Sequence, residues 1–263
     1  MRLVGILLAG LLSASAPASE DLVLASRGAR LAATLRLPEG RRPPYPAVVL
    51  VHGSGRLTAQ NVLAGFGDRL TRLGLAVLAY DKRGVGGSTG EYSMISPANS
   101  ERMFELLAAD ALAGVAFLKA RRDIDPRRIG LFGNSQGGWI APLAATRSSD
   151  VAFVITMSGP AVSVGEEIAY SRLAGADPGS VQGLSDAEIE KRMRDFRGPH
   201  GYDPAAALAA MRVPSLWILG EVDRSIPIRR TVDILARVTQ EQRRPITTHV
   251  IPGVNHGLRN PVT

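Results

Sequence analysis

Apolar residues along this chain fall into two kinds of stretch. Ala47–Val51, Ala76–Tyr80, Ile129–Phe132, Val151–Met157, Ser215–Leu219 and Thr247–Ile251 are short, nearly unbroken apolar runs. Such runs mark strands buried on both faces of a parallel sheet. Between them, Val62–Leu73, Ser100–Arg121, Gly137–Arg147, Pro204–Met211 and Pro227–Val238 carry helical spacing. In Ser100–Arg121, Met103, Leu106, Leu107, Ala111, Val115 and Leu118 recur at intervals of three and four and make one helix face. Leu22–Leu37 holds two apolar runs around Arg27-Gly28-Ala29-Arg30 and predicts a hairpin, and the proline-rich Pro38–Pro46 predicts a loop. Alternating strands and helices predict an α/β fold with one mostly parallel central sheet covered on both faces. Ligands of such sheets bind beyond the carboxyl ends of the strands.

The residues after those runs carry the candidate chemistry. Gly133-Asn134-Ser135-Gln136-Gly137 is G-x-S-x-G between a predicted strand and a predicted helix, the context that motif requires. The serine sits at the tip of a sharp turn, and side chains two positions to either side would strike the helix and the strand. The turn exposes the Ser135 hydroxyl and aims the Gln136 amide and a helix N-terminus at a developing negative charge. Serine needs a base, and the expected chain order is Ser, then Asp or Glu, then His. His52 and His200 precede the acid candidates and His249 falls within a predicted strand, so His256, in Pro252-Gly253-Val254-Asn255-His256-Gly257, is the candidate base. Asp223 is the candidate acid, with Glu221 as its competitor in the same turn. His52-Gly53-Ser54-Gly55 follows the first core strand and offers the Ser54 amide as a second oxyanion donor. Asp81–Ser88 is glycine-rich but matches neither phosphate-loop nor dinucleotide motif, so it is read as a structural turn.

These motifs, in this order, resemble the α/β-hydrolase superfamily from about Leu22 to Gly257. H-G-S-G, D-x-R-G-x-G-x-S and G-x-S-x-G-G are similar to those of bacterial carboxylesterase and serine aminopeptidase-like members related to dienelactone hydrolases. The resemblance implies an α/β-hydrolase fold with a small helical cap after the sixth strand, here residues 161–202. It also implies that the D-x-R-G-x-G-x-S segment is scaffold at the site mouth. Within 161–202, Glu166–Leu173 and Asp186–Phe196 are predicted helices. The spacing of Ile189, Met193 and Phe196 puts them on one side of the second, and Met193 and Phe196 are expected to touch substrate. Relatives usually close the fold with a helix after the histidine. Seven residues follow His256 here, so the strands at 214–219 and 247–251 are expected to be partly uncovered.

Arg2, the apolar run Leu3–Leu12 and Ala16-Pro17-Ala18 form a secretory signal pattern, with cleavage expected after Ala18 and a hydrolase domain over 19–263. The run is shorter than the ~20 residues a membrane span needs, and no later stretch reaches that length. The chain of 263 residues has no cysteine, which excludes disulfides, a thiol nucleophile and thiolate metal sites. Its net charge of +7 comes from scattered arginines, and aromatic residues make up only 5%, a combination that argues against a nucleic-acid partner. The reading is therefore an exported serine esterase that takes a small acyl substrate and needs no metal or cofactor. Aminopeptidase, amidase and thioesterase activities stand as alternatives within the fold, and an inactive binding protein as the alternative outside it. The oligomeric state is not legible.

Overall fold

A computed structural model of the chain describes residues 19–176 and 184–261; the signal pattern at 1–18 lies outside the described residues. Eight strands form one sheet: β1 (Ser19–Ser26), β2 (Ala29–Arg36), β3 (Tyr45–Val51), β4 (Ala76–Tyr80), β5 (Ile124–Asn134), β6 (Phe153–Met157), β7 (Ser215–Gly220) and β8 (Ile246–Ile251). Their spatial order is β1-β2-β4-β3-β5-β6-β7-β8. The first two pair antiparallel, β2 runs antiparallel to β4, and every later pairing is parallel. The β1–β2 hairpin turns at Arg27 and Gly28, both at positive φ (26° and 76°), the geometry that suits the twist of a two-residue hairpin loop. From β3 the chain crosses to β4 on one side and later to β5 on the other. The loops after β3 and β5 therefore part at the carboxyl end of the sheet and leave a crevice there.

Alternate residues of the central strands feed two separate layers. Ala47, Val49, Val51, Leu78 and Tyr80 face α3 (Ser100–Lys119) and α4 (Gly137–Arg147). Val48, Leu50, Val77 and Ala79 face a helical segment built from α1 (Ala59–Val62), a wider π turn (Leu63–Gly67) and α2 (Asp68–Arg72). Trp217 and Leu219 of β7 pack under α7 (Ala205–Ala210) and α8 (Ile228–Glu241). The opposite face of β6 and β7 has less cover: Phe153, Ile155, Met157, Leu216 and Ile218 are all partly exposed.

The Asp81–Ser88 turn is held from several directions. Asp81 accepts from the Ala59 and Gly87 amides at 2.8 and 2.7 Å, and Arg83 forms a buried ion pair with Asp110 of α3 at 2.5 Å. His52, at the end of β3, is buried and donates from Nε2 to the Tyr80 carbonyl. Burial lowers its pKa from 6.5 to about 3, and the neighbouring Lys82 adds to the shift. The unfolded chain thus takes up a proton that the folded chain refuses across that window, so this residue subtracts stability as the pH falls from 6.5 towards 3. We expect His52→Gln to flatten the dependence of unfolding free energy on pH there by about 1.4 kcal/mol per pH unit. Urea titrations at a series of pH values measure it, and equal slopes in variant and wild type would contradict the assignment.

Between β6 and β7 the chain leaves the strand–helix rhythm and forms α5 (Val164–Ala174) and α6 (Asp186–Arg194). Ala174, Ile189 and Met193 make a small core of their own. Three arginines tie this cap to the body: Arg224 to Asp186 at 2.7 Å, Arg229 to Glu190 at 2.9 Å and Arg230 to Glu166 at 2.5 Å. Arg229 and Arg230 lie in the first turn of α8, where cations oppose the helix dipole. The cap carboxylates offset that cost.

Candidate active site

Ser135 occupies the turn between β5 and α4 with φ of 50°, a left-handed conformation that costs a non-glycine residue roughly 1–3 kcal/mol. Its amide donates to the Met157 carbonyl at 2.9 Å, and its own carbonyl accepts from Gly138 at 2.7 Å. The flanking glycines are sterically required. A Cβ at Gly133 would lie 2.3 Å from the Gly137 carbonyl oxygen, and one at Gly137 would lie 2.6 Å from that of Val51. Strand, turn and helix are thus in contact at the two positions that the motif keeps bare.

His256 reaches this serine from the loop after β8. Its Nε2 lies 3.0 Å from Ser135 Oγ and its Nδ1 lies 2.7 Å from Asp223 Oδ2. The Asp223 side chain is fully buried, and its second oxygen accepts from the Ser225 and Ile226 amides at 2.7 and 3.2 Å. Glu221 points elsewhere: it is exposed and accepts from the Gly253 amide at 2.9 Å. Of the two acids left open by the sequence, Asp223 is the one brought to the imidazole. Ser158, at the end of β6, donates to the His256 carbonyl at 2.7 Å and so braces the histidine loop. No sequence motif pointed to that residue.

Ser54 and Gln136 line the same cavity of about 450 Å³ as Ser135. Their amides donate to no other group among the described residues, and Gln136 stands at the N-terminus of α4. The loop carrying Ser54 lies against the turn: a Cβ at Gly53 would sit 3.6 Å from Ser135 Cβ. Lys82, read from the sequence as part of a structural turn, also lines this cavity and is itself buried. Its Nζ donates to the Gly53 carbonyl at 2.6 Å and to Gln136 Oε1 at 3.1 Å. Burial pushes its pKa down to about 8, which leaves it an ammonium at neutral pH. One signal could have found it. The chain has only three lysines among its 31 basic residues, and this one lies two residues past the end of a predicted strand.

The cap enters the cavity through α5, with Val164, Glu167, Ile168 and Arg172, while Tyr92, Met94 and Ile95 form another wall. This corrects the expectation for Met193 and Phe196. Met193 is turned into the cap's own core against Ile189 and Ala174. Phe196 packs edge-on against His200, with ring centroids 5.3 Å apart. Neither residue lines the Ser135 cavity. A larger concavity of about 850 Å³ lies between α6, α8 and the Glu221–Asp223 turn and includes Met193, but neither Ser135 nor His256 borders it. An apolar stripe on α6 marked a face to be buried, and the cap itself buries it.

Comparison with known proteins places this arrangement in context. The profile of the serine aminopeptidase S33 family matches residues 42–186. An uncharacterised protein of Mycobacterium tuberculosis is 27% identical over 240 residues, covering 91% of this chain and 73% of that protein. Esterase EstD of Thermotoga maritima is 27% identical over 214 residues, covering 73% of this chain and 50% of its own. Among solved structures, the Pyrococcus furiosus esterase Pf2001 superposes with a TM-score of 0.69 at 18% identity, over 100% of this chain and 91% of that one. A putative dienelactone hydrolase from Klebsiella pneumoniae does so with a TM-score of 0.62 at 19% identity, over 92% of this chain and 88% of that one.

Proposed function

The chain belongs to the serine aminopeptidase S33 family of α/β hydrolases and is a serine hydrolase, and from that premise we propose that it cleaves carboxylic esters through Ser135, His256 and Asp223. The observation that carries this reading is the unbroken series of contacts from Asp223 Oδ2 to His256 Nδ1 at 2.7 Å and from His256 Nε2 to Ser135 Oγ at 3.0 Å. Asp223 holds the proton of His256 on Nδ1, which leaves Nε2 free to accept the serine proton. Ser135 Oγ attacks the ester carbonyl, and the Ser54 and Gln136 amides receive the oxyanion. The imidazolium then protonates the leaving alkoxide oxygen as the ester C–O bond breaks, releasing the alcohol, and water repeats the sequence on the acyl-enzyme.

Esters are favoured because their alkoxide leaves readily and asks for nothing beyond the histidine. An aminopeptidase would also need an acidic group to hold a substrate amine. Of the cap acids Glu166, Glu167 and Asp186, only Glu167 lines the cavity, while Glu166 pairs with Arg230 and Asp186 with Arg224. Glu167 is the observation that keeps aminopeptidase as the second reading. A panel of aryl and alkyl esters, thioesters, lactones and aminoacyl arylamides distinguishes the two. The ester reading requires kcat/KM for esters to exceed that for arylamides. A preference for arylamides that Glu167→Gln removes would establish the aminopeptidase instead.

Ile168 is the apolar α5 residue nearest the role once expected of Met193 and Phe196. We expect Ile168→Ala to change the ratio of kcat/KM between short- and medium-chain p-nitrophenyl esters by about four- to fifteenfold, the scale of one or two lost methylene contacts at ~0.8 kcal/mol each. Phe196→Ala should leave that ratio alone. The reverse pattern would mean that the acyl chain runs beneath α6. Export completes the proposal. It rests on the pattern at Arg2, Leu3–Leu12 and Ala16-Pro17-Ala18, and N-terminal sequencing of the mature protein, with Ser19 expected first, tests it.

A further inference from the structure

Lys82 makes two contacts that the proposed chemistry has not used. Its ammonium donates to the Gly53 carbonyl at 2.6 Å and to the Gln136 side chain at 3.1 Å. The first belongs to the same peptide group as the Ser54 N–H, and the second to the residue that supplies the other oxyanion donor. The Gly53–Ser54 peptide is planar and trans, so its carbonyl and its N–H point in opposite directions. A cation fixed on the Gly53 carbonyl therefore fixes the Ser54 N–H on the other side of the same plane. It also draws electron density towards the carbonyl oxygen, which makes the Ser54 N–H a stronger donor. At the second residue, the same ammonium holds the Gln136 side chain, so the residue that offers the other N–H is anchored to the same point. The two donors come from segments more than 80 positions apart in the chain, after β3 and after β5, and Lys82 is the group that bonds both.

Its surroundings suit a fixed brace. The lysine is 4% exposed, and its own turn is held by the Arg83–Asp110 pair and by the Asp81 carboxylate. The burial of an ammonium costs free energy, and a carboxylate would be the ordinary partner. Here the ammonium donates to a carbonyl and an amide oxygen, both neutral groups, and it keeps its positive charge beside the cavity. That charge favours a transition state in which negative charge appears on the substrate oxygen.

We propose that Lys82 is a positioning residue for the oxyanion hole, which it assembles by clamping the Gly53–Ser54 peptide and the Gln136 side chain to one ammonium. The inference rests on the reading of Ser54 and Gln136 as oxyanion donors. It assigns a catalytic purpose to a residue that the sequence placed in scaffold.

The test compares oxo and thiono forms of one ester. A thiono ester places sulfur where the oxyanion would form, and a cradle of N–H groups stabilises that poorly, so the oxo/thiono ratio of kcat/KM reports on the cradle itself. Active enzyme is counted by fluorophosphonate titration, and Ser135→Ala is run alongside. For Lys82→Met, kcat for the oxo ester should fall by about 10- to 100-fold, less than or equal to the loss of one oxyanion donor, with KM within about threefold of wild type. The oxo/thiono ratio should shrink by a similar factor. A merely structural lysine would lower both substrates equally, and an equal loss or an unchanged kcat overturns the proposal. If Lys82→Met does not fold, Gln136→Met carries the test. It keeps the Gln136 backbone N–H but removes one of the two anchors, and should reduce the ratio by about three- to tenfold; an unchanged ratio overturns the clamp. Hydrolysis by Ser135→Ala at the wild-type rate would instead remove the underlying reading, which separates the two failures.

Discussion

Ser135→Ala is expected to lower kcat for ester hydrolysis by about 10⁵- to 10⁶-fold while the protein stays folded. The hydroxyl is the group that forms the acyl-enzyme, so its loss leaves only binding and oxyanion stabilisation. The substitution also keeps the backbone problem: alanine, like serine, is strained at a φ of 50°. Ser135→Gly should lose the same activity yet be more stable than Ser135→Ala by about 1 kcal/mol, because glycine adopts this conformation without strain. Initial rates on an aryl ester and urea unfolding of both variants measure the two effects. Activity of Ser135→Ala within tenfold of wild type would contradict the assignment of the nucleophile. Equal stability of the two variants would contradict the strain.

The second large effect separates two acids that stand two residues apart. Asp223→Asn should lower kcat by about 10⁴-fold. An asparagine amide would donate to Nδ1 of His256 and push the imidazole proton onto Nε2, where it blocks acceptance of the serine proton. Glu221→Gln should stay within a few-fold of wild type, because a glutamine oxygen can still accept from the Gly253 amide at the present 2.9 Å and the group does not face the histidine. Both variants are assayed at the pH optimum of the wild type. A larger loss from Glu221→Gln would exchange the two roles.

What the sequence revealed follows from how local each constraint is. β3 and β4 are buried on both faces, so nearly every residue in them is apolar and the runs at 47–51 and 76–80 stand out. The turn at Ser135 is legible because its steric demands fall on residues two positions away. The helical segment after β3 was less so. Its spacing suggested one helix over Val62–Leu73, but it starts at Ala59 and contains a π turn at Leu63–Gly67 that shifts the spacing. Its start is a capping box in which Asn61 reaches back to the Thr58 amide at 2.8 Å, in place of the usual Glu or Gln. β5 begins earlier than its apolar run, since Ile124 pairs with Tyr45 ahead of an irregularity in the register.

The contacts that escaped are between segments distant in the chain. Lys82 meets Gly53 across 29 positions and Gln136 across 54, and Ser158 meets the His256 carbonyl across 98. No motif marks Ser158, and the only local sign at Lys82 is a rare lysine just past a strand end. The cap misled for a related reason: the clean apolar stripe of α6 shows that Ile189 and Met193 are buried, not what buries them. The α5 face that does border the cavity mixes Val164 and Ile168 with Glu167 and Arg172, so its apolar stripe is broken by charge.

The central claim is that Ser135 is the nucleophile of a histidine-activated acyl transfer. Labelling with a fluorophosphonate probe, followed by peptide mapping, tests it most directly, because the probe forms a stable bond only with an activated serine. The account predicts one modified peptide, containing Ser135, in wild type, and loss of labelling both in Ser135→Ala and in a His256→Ala variant that keeps the hydroxyl without its base. A probe bound to another serine, or labelling of Ser135 at the wild-type rate in the His256→Ala variant, would contradict it.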